Sequence, residues 1–270
     1  MLRYCSHQAA GLLALGESRT VRLVAVVQHG DAQAELPFLW RLCLSCAELG
    51  YPVTVLDGTS VETDGMPGLL QRLTQEAPAG LKGKDWAVLP AKEGLAQLGF
   101  NDKDHQRGWH RLVRCFAHGE VVFLYSTAQC IASTLQGLDA PVFLPVSERR
   151  ASLLTSYLAL KRMLLVGGQS PTIVNVLAPN TDDDAPTAPT VCSSLVECAK
   201  NFLNFEAQVI AFTDSVEEHS VQAMHQLALN LLDPTKPQSL FSNERQRGVQ
   251  TRWTGSGSMP TIARRTDVHR

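Results

Sequence analysis

The residues that bear most directly on chemistry lie in one turn, Gln28-His29-Gly30-Asp31-Ala32-Gln33-Ala34-Glu35-Leu36-Pro37, between an apolar run and a long helical pattern. A phosphate-binding loop needs glycines so that backbone N–H groups converge on oxygens, a lysine for charge, and a serine or threonine for magnesium. This turn has one glycine, no lysine and no hydroxyl, and it carries two carboxylates. Asp31 and Glu35 would face a triphosphate at a few ångströms, where like charges cost several kcal/mol. Taken alone, the turn argues against nucleotide phosphate. His29 and Asp31 could form a catalytic pair, but no Gly-x-Ser-x-Gly elbow or other nucleophile accompanies them.

Other clusters carry less. Seven cysteines, at 5, 43, 46, 115, 130, 192 and 198, are scattered through apolar segments of a chain too long for a disulfide framework. Cys43-x-x-Cys46 is a lone pair inside a helical pattern, and a zinc site would need a second pair. Buried, inert thiols are expected. His105 and His110 lie five apart, off a shared helical face, and do not make a metal pair. The acidic run Asp182-Asp183-Asp184 reads as part of a surface loop over 179–190.

The elements that must position these residues alternate in type. Short β-branched runs fall at 21–27, 52–56, 86–89, 121–125, 142–146, 172–177 and 208–212, several of them apolar on both faces, as in parallel strands covered by helices. Helical patterns lie between and after them, at 34–49, 68–75, 105–117, 128–135, 149–166, 192–205 and 216–232. Such alternation predicts an α/β fold with a doubly wound, mainly parallel sheet flanked by helices. The helix over 153–166, apolar at 153, 154, 157, 158, 160, 164 and 165, reads as core. Residues 1–20 hold a small helical piece at 8–15. Residues 234–270 carry seven cationic and two acidic side chains, a net charge of +5, and read either as a flexible basic tail or as an arm touching a membrane or partner. The 270 residues as a whole carry a formal net charge of -2 and are 44% hydrophobic, so neither wholesale disorder nor a global field for nucleic acid is expected. No apolar run reaches the roughly 18 residues of a spanning helix, and the first residues lack a secretory apolar stretch, so a cytoplasmic chain is expected, possible contact with the inner membrane resting on the basic tail.

The stretch from Val24 to Gly50, with its nine-residue loop and the helix end Ala47-Glu48-Leu49-Gly50, followed by Tyr51-Pro52-Val53-Thr54-Val55-Leu56-Asp57, resembles the opening of MinD/ParA-type ATPases: strand, KGGVGKT, helix, A-E-L-G, strand, D-A-D. Laid on that pattern, the family's signature lysine falls at Gly30, its phosphate lysine at Glu35 and its magnesium threonine at Leu36. Asp57 matches the first aspartate of D-x-D, and the second falls at Thr59. The run Val121 to Ser126 takes the place of the Walker B strand, with Tyr125 at its acidic end. Ser147-Glu148-Arg149-Arg150 and the run Leu154 to Lys161 resemble the P-E-P-T-S-I-T-D-A-Y-A-L-I-K segment of one branch, and Asn175 stands where a family asparagine reads adenine. The similarity covers roughly 20–232. Asp57 reads equally as a strand-end carboxylate capping the next turn, Asn175 as a side chain satisfying nearby backbone, and Glu148, Arg149 and Arg150 as a solvated first helical turn.

Ahead of this, His7-Gln8-Ala9-Ala10-Gly11-Leu12-Leu13 resembles the D-Q-A-x-x-L-R motif of the FlhG (FleN) flagellar-number regulators. In that branch the motif is a short helix that docks on the signal-recognition-type GTPase FlhF. Gln8, Ala9 and Leu12 match, while His7 and Leu13 replace the Asp and the Arg. The resemblance therefore implies three parts: a partner-binding helix over 1–20, a MinD-like domain over 21–233 and a basic tail over 234–270. With the lysines, the threonine and the Walker B acid all replaced, it implies a degenerate, non-hydrolysing protein that needs no ATP or magnesium. Such a protein would regulate or scaffold flagellar assembly through contacts with a FlhF-like GTPase, other flagellar proteins or a second copy. The alternatives are a weak ATPase with ATP and magnesium bound unconventionally, or an accessory of another envelope machine such as cellulose secretion or a Tad-type pilus.

Overall fold

β-branched and other apolar residues on both faces of each central strand dictate a sheet buried from two sides, and that is the arrangement in the computed structural model, which describes residues 21–74, 86–98, 105–177, 190–215 and 217–233. The strands are β1 (Arg22–Gln28), β2 (Val53–Asp57), β3 (Trp86–Pro90), β4 (Val121–Thr127), β5 (Val142–Ser147), β6 (Thr172–Leu177) and β7 (Val209–Thr213). The helices are α1 (Ala32–Glu48), α2 (Leu69–Thr74), α3 (Lys92–Gln97), α4 (His105–Val113), α5 (Ala128–Thr134), α6 (Arg150–Arg162), α7 (Val191–Leu203) and α8 (Glu218–Leu232), with a π-turn at Met163–Gly167 extending α6. All seven strands are parallel, in the order β3-β2-β4-β1-β5-β6-β7. β1 is central, in register with β4 from Arg22↔Val121 to Gln28↔Thr127 and beside β5 on its other edge.

Period-two alternation sorts the strand side chains into two layers. Val24 and Val26 of β1, with Val53, Phe123 and Phe143, pack under α1 and α8 through Phe38, Leu42, Met224 and Ala228. Leu23, Ala25 and Val27, with Leu124, Leu144 and Ile173, pack under α5, α6 and α7 through Ile131, Leu160 and Leu195. Arg41 joins α1 to the end of β7 by donating to the Ser215 carbonyl at 2.6 Å and lying 3.5 Å from Asp214.

Three expectations need correction. The run at 91–98 contains a helix, α3, that the sequence reading omits. It is short and holds Gly94, and its first N–H groups, from Glu93 and Gly94, are accepted by the carboxylate of Glu62 at 2.7 and 2.8 Å, from 31 and 32 residues away. The helical pattern at 105–117 stops at Val113. The third concerns α6. Leu160 is buried and Leu153, Tyr157 and Leu164 pack against the core as expected, whereas Leu154 and Leu158 stand 64% and 56% exposed, as does Leu165 of the π-turn at 69%. Small side chains let the helix layer approach closely: a Cβ on Gly167 would lie 2.9 Å from Ala132 of α5. The 8–15 piece, the loop at 178–189 and the tail over 234–270 lie outside the described residues. No helix among the described residues is long and apolar enough to cross a membrane.

Candidate functional site

The turn between β1 and α1 sits at the C-terminal edge of the central strand, where α/β sheets gather their ligands. Gly30 adopts φ +97, the left-handed region that an L side chain avoids, and so lets the chain reverse from strand to helix. Asp31 occupies the N-cap position of α1 but makes no capping bond with its side chain. The capping is done from inside the helix. Glu35, one turn in, folds back so that Oε1 accepts the backbone N–H of His29 at 2.9 Å and of Asp31 at 2.7 Å. Its Oε2 accepts the Tyr125 hydroxyl at 2.6 Å. Glu35 is fully buried.

This arrangement brings together three of the positions singled out from the sequence, Gly30, Glu35 and Tyr125, and makes the two side chains partners of each other. Burial, the hydrogen bond to Glu35 and the nearby charges of Glu35 and Asp57 all push the Tyr125 phenol far above its usual range, so it remains a donor at any physiological pH. Leu36 is half-buried and packs against the α1 layer. Asp57 behaves as a turn cap: Oδ1 accepts the N–H and hydroxyl of Thr59 at 2.9 and 2.6 Å, and Oδ2 accepts the Ser60 hydroxyl at 2.6 Å. Asn175 stays apart, on β6 two strands from β1. Its Oδ1 is buried without a hydrogen-bond partner.

His29 and Asp31 do not form a pair; each reaches to the β5–α6 junction separately. His29 Nε2 donates to the Pro145 carbonyl at 2.7 Å, which fixes the proton on that nitrogen, and Nδ1 lies 2.9 Å from the Thr155 hydroxyl of α6. Asp31 Oδ2 accepts the Ser147 hydroxyl at 2.6 Å and the Ser147 N–H at 3.1 Å. Burial works against charge on Asp31, yet hydrogen bonds from Ser147 and Ser152, with the His29 ring nearby, hold its carboxyl below the ordinary value. Glu148, Arg149 and Arg150 are all exposed, as expected of a solvated helical turn, and Glu148 also accepts the Val191 N–H at the start of α7 at 3.1 Å. Sequence reasoning missed the linking role of His29, because its partners Pro145 and Thr155 are more than a hundred residues away.

The remaining candidates are inert or lie elsewhere. Cys43 and Cys46 are buried free thiols, Cys46 pushed up to about 12 by burial and Cys43 well above its usual value, as expected of core residues. Among the described residues no group of three or more His, Cys, Asp or Glu could hold a metal. His7, Gln8, Ala9, Leu12 and Leu13 lie outside the described residues.

No protein-family model matches the sequence, and no curated protein matches it. Solved structures do. Cobyrinic acid a,c-diamide synthase from Mycobacterium smegmatis, with bound ADP and magnesium, is similar at a TM-score of 0.53 and 14% identity, over 79% of this chain and 94% of that one. The MinC:MinD cell division complex of Aquifex aeolicus is similar at 0.48 and 11%, over 78% and 95%. MinD of Pyrococcus horikoshii with Mg-ADP is similar at 0.42 and 12%, over 82% and 100%. At 14% identity the likeness to the synthase is one of fold. The doubly wound parallel sheet expected from the sequence is the fold observed, shared with the synthase.

Proposed function

We propose that the chain is a degenerate member of the MinD-type ATPases, close to the FlhG branch, that hydrolyses no nucleotide and regulates or scaffolds flagellar assembly through protein contacts. The single observation that carries the first half is Glu35. A triphosphate in this fold needs the N–H groups of the first turn and cationic charge beside them. Here a buried carboxylate already accepts two of those N–H groups and the Tyr125 hydroxyl. The residues present therefore do not fit ATP and magnesium. An anion entering the turn would have to displace Glu35 from three donors and share the space with its charge.

Support for the second half is the N-terminal sequence His7-Gln8-Ala9-Ala10-Gly11-Leu12-Leu13 set just ahead of β1, the placement of the FlhF-docking motif. On this reading residues 1–20 meet a FlhF-like GTPase, and nothing about that contact depends on nucleotide. The test is a binding titration of the full chain against a FlhF-type GTPase, with and without ATP, repeated on a chain lacking residues 1–18. Binding that ignores ATP and is lost on truncation is expected. Undiminished binding of the truncated chain removes the N-terminal segment from the mechanism.

A further inference from the structure

Helix α4 turns two unlike sides to its surroundings. Trp109 and Leu112, with Phe116 just beyond the helix, are buried in the core, and Trp109 Nε1 donates to the Thr134 carbonyl of α5 at 3.0 Å. The outer side carries Arg107, His110, Arg111 and Arg114, at i, i+3, i+4 and i+7, all exposed. Helical hydrogen bonding reaches Arg114, whose N–H donates to the His110 carbonyl at 3.3 Å. A fourth arginine joins from α2. The guanidinium carbon of Arg72 lies 5.9 Å from the centre of the Phe116 ring, and Arg72, Arg111 and Arg114 all act electrostatically on the Cys115 thiol. Guanidiniums from two helices therefore converge on one point.

Folding alone does not favour this cluster. Like charges at i, i+3 and i+4 destabilise a helix. Neither α2 nor the stretch from His105 to His118 contains an acidic residue, although the chain as a whole has 26 acidic residues for 24 basic ones. None of Arg72, Arg107 and Arg111 is paired with an acidic side chain among the described residues. No large apolar side chain of α4 is exposed either, so the face offers charge alone.

We propose that the outer side of α4, together with Arg72, docks an acidic segment of a partner protein and takes its carboxylates on the guanidiniums. Charge complementarity selects that occupant. All four permanent charges are arginines, whose planar fork meets a carboxylate through two parallel hydrogen bonds. Arg107 to Arg114 spans about 10 Å of helix, which matches two turns of an acidic helix. A single nucleic-acid strand needs exposed aromatic rings under its bases, and Trp109 and Phe116 are 2% and 1% exposed. A duplex would run past the four arginines onto a chain that is otherwise net acidic. A bilayer holds a basic helix through apolar side chains inserted beside the charges, and α4 exposes none. A second copy of α4 would set arginine against arginine. The Trp109 anchor holds the face in place before binding, which removes part of the ordering cost. The inference goes beyond the function proposed above and uses none of its residues.

The test uses the full chain and a fluorescein-labelled helical peptide with glutamates at i, i+4, i+7 and i+11 on an alanine background. A peptide with glutamines in their place is the control. The expected result is a saturable rise in anisotropy at low salt that weakens as salt is added, no binding of the control, and a loss of at least ~10-fold in R107Q/R111Q. Equal Tm of R107Q/R111Q and the parent shows that the loss is not unfolding, since both side chains are exposed. R264Q/R265Q, in the basic tail, should bind as the parent does. The idea is overturned if the glutamate peptide does not bind, if the glutamine peptide binds as well, if R107Q/R111Q binds undiminished, or if R264Q/R265Q loses as much. It is equally overturned if a short DNA duplex, or vesicles of phosphatidylcholine and phosphatidylglycerol, bind the parent more tightly than the peptide and are lost in R107Q/R111Q, which makes the face a nucleic-acid or membrane contact. The titration contains no nucleotide and keeps residues 1–18, so its failure is separable from ATP binding and from failure of the GTPase contact.

Discussion

Removing the Glu35 carboxylate is the perturbation with the clearest arithmetic. Glu35→Ala leaves the Asp31 N–H and the Tyr125 hydroxyl, both buried, and the half-buried His29 N–H without their acceptor. Each buried donor left unmade costs about 1–3 kcal/mol. Against that sum stands the desolvation relieved when a buried charge is deleted, and removal of one member of such a group typically nets about 3–5 kcal/mol of destabilisation. For a domain of ordinary stability that is a large share of the total. Glu35→Gln keeps an amide oxygen for the two N–H groups but turns an amino group toward the Tyr125 hydroxyl, and about 1–2 kcal/mol is expected. Tyr125→Phe removes one charge-assisted bond, worth about 1.5–3 kcal/mol, and the double variant with Glu35→Ala should cost less than the two single effects added. Urea denaturation followed by circular dichroism measures all four. A Glu35→Ala variant within about 0.5 kcal/mol of the parent, the scatter of neutral surface substitutions, would refute the idea that this carboxylate is the ligand of its own turn.

Two further expectations concern stability alone. The Ser126 hydroxyl is fully buried without a hydrogen-bond partner, and a Cβ on Gly58 would lie 2.4 Å from it, so Ser126→Ala should leave Tm unchanged or raise it; a clear fall would mean the hydroxyl has a partner. Stability should fall on the alkaline side. The unfolded chain releases the Cys43 and Cys46 protons above their ordinary value of 9.0 and the Tyr125 proton above 10.0, while the folded chain keeps them, so each group lowers stability by about 1.4 kcal/mol per pH unit there, and Cys46→Ala should flatten the slope of Tm against pH. On the acid side Asp31, held below 3.8, contributes stability that is intact above that value and lost as pH falls through its lower folded value.

All seven strands were legible because parallel strands buried on two faces leave apolar runs that nothing else produces in an alternating chain. Helix ends were less so, and α3 was invisible: six residues with a glycine carry no periodicity, and the Glu62 carboxylate that caps it comes from a distant loop. The misreading of α6 has a different cause. Its apolar residues cover more than one face: Leu153, Tyr157, Leu160 and Leu164 pack inward and Leu154, Leu158 and Leu165 face out, and apolar content alone does not separate the two stripes. In the first turn the sequence correctly located a carboxylate where a phosphate loop needs a cation. It read Glu35 as an obstacle to a ligand, whereas the side chain is itself the anion the turn binds. Tyr125, ninety residues away, carried no signal of that partnership beyond its place at the end of β4.

The most direct measurement is isothermal titration of the full chain with ATP and magnesium. Because Glu35 already holds the N–H groups of the turn, no saturable heat is expected up to millimolar nucleotide. One-site binding in the micromolar range would contradict this and return the chain to the nucleotide-binding members of its fold.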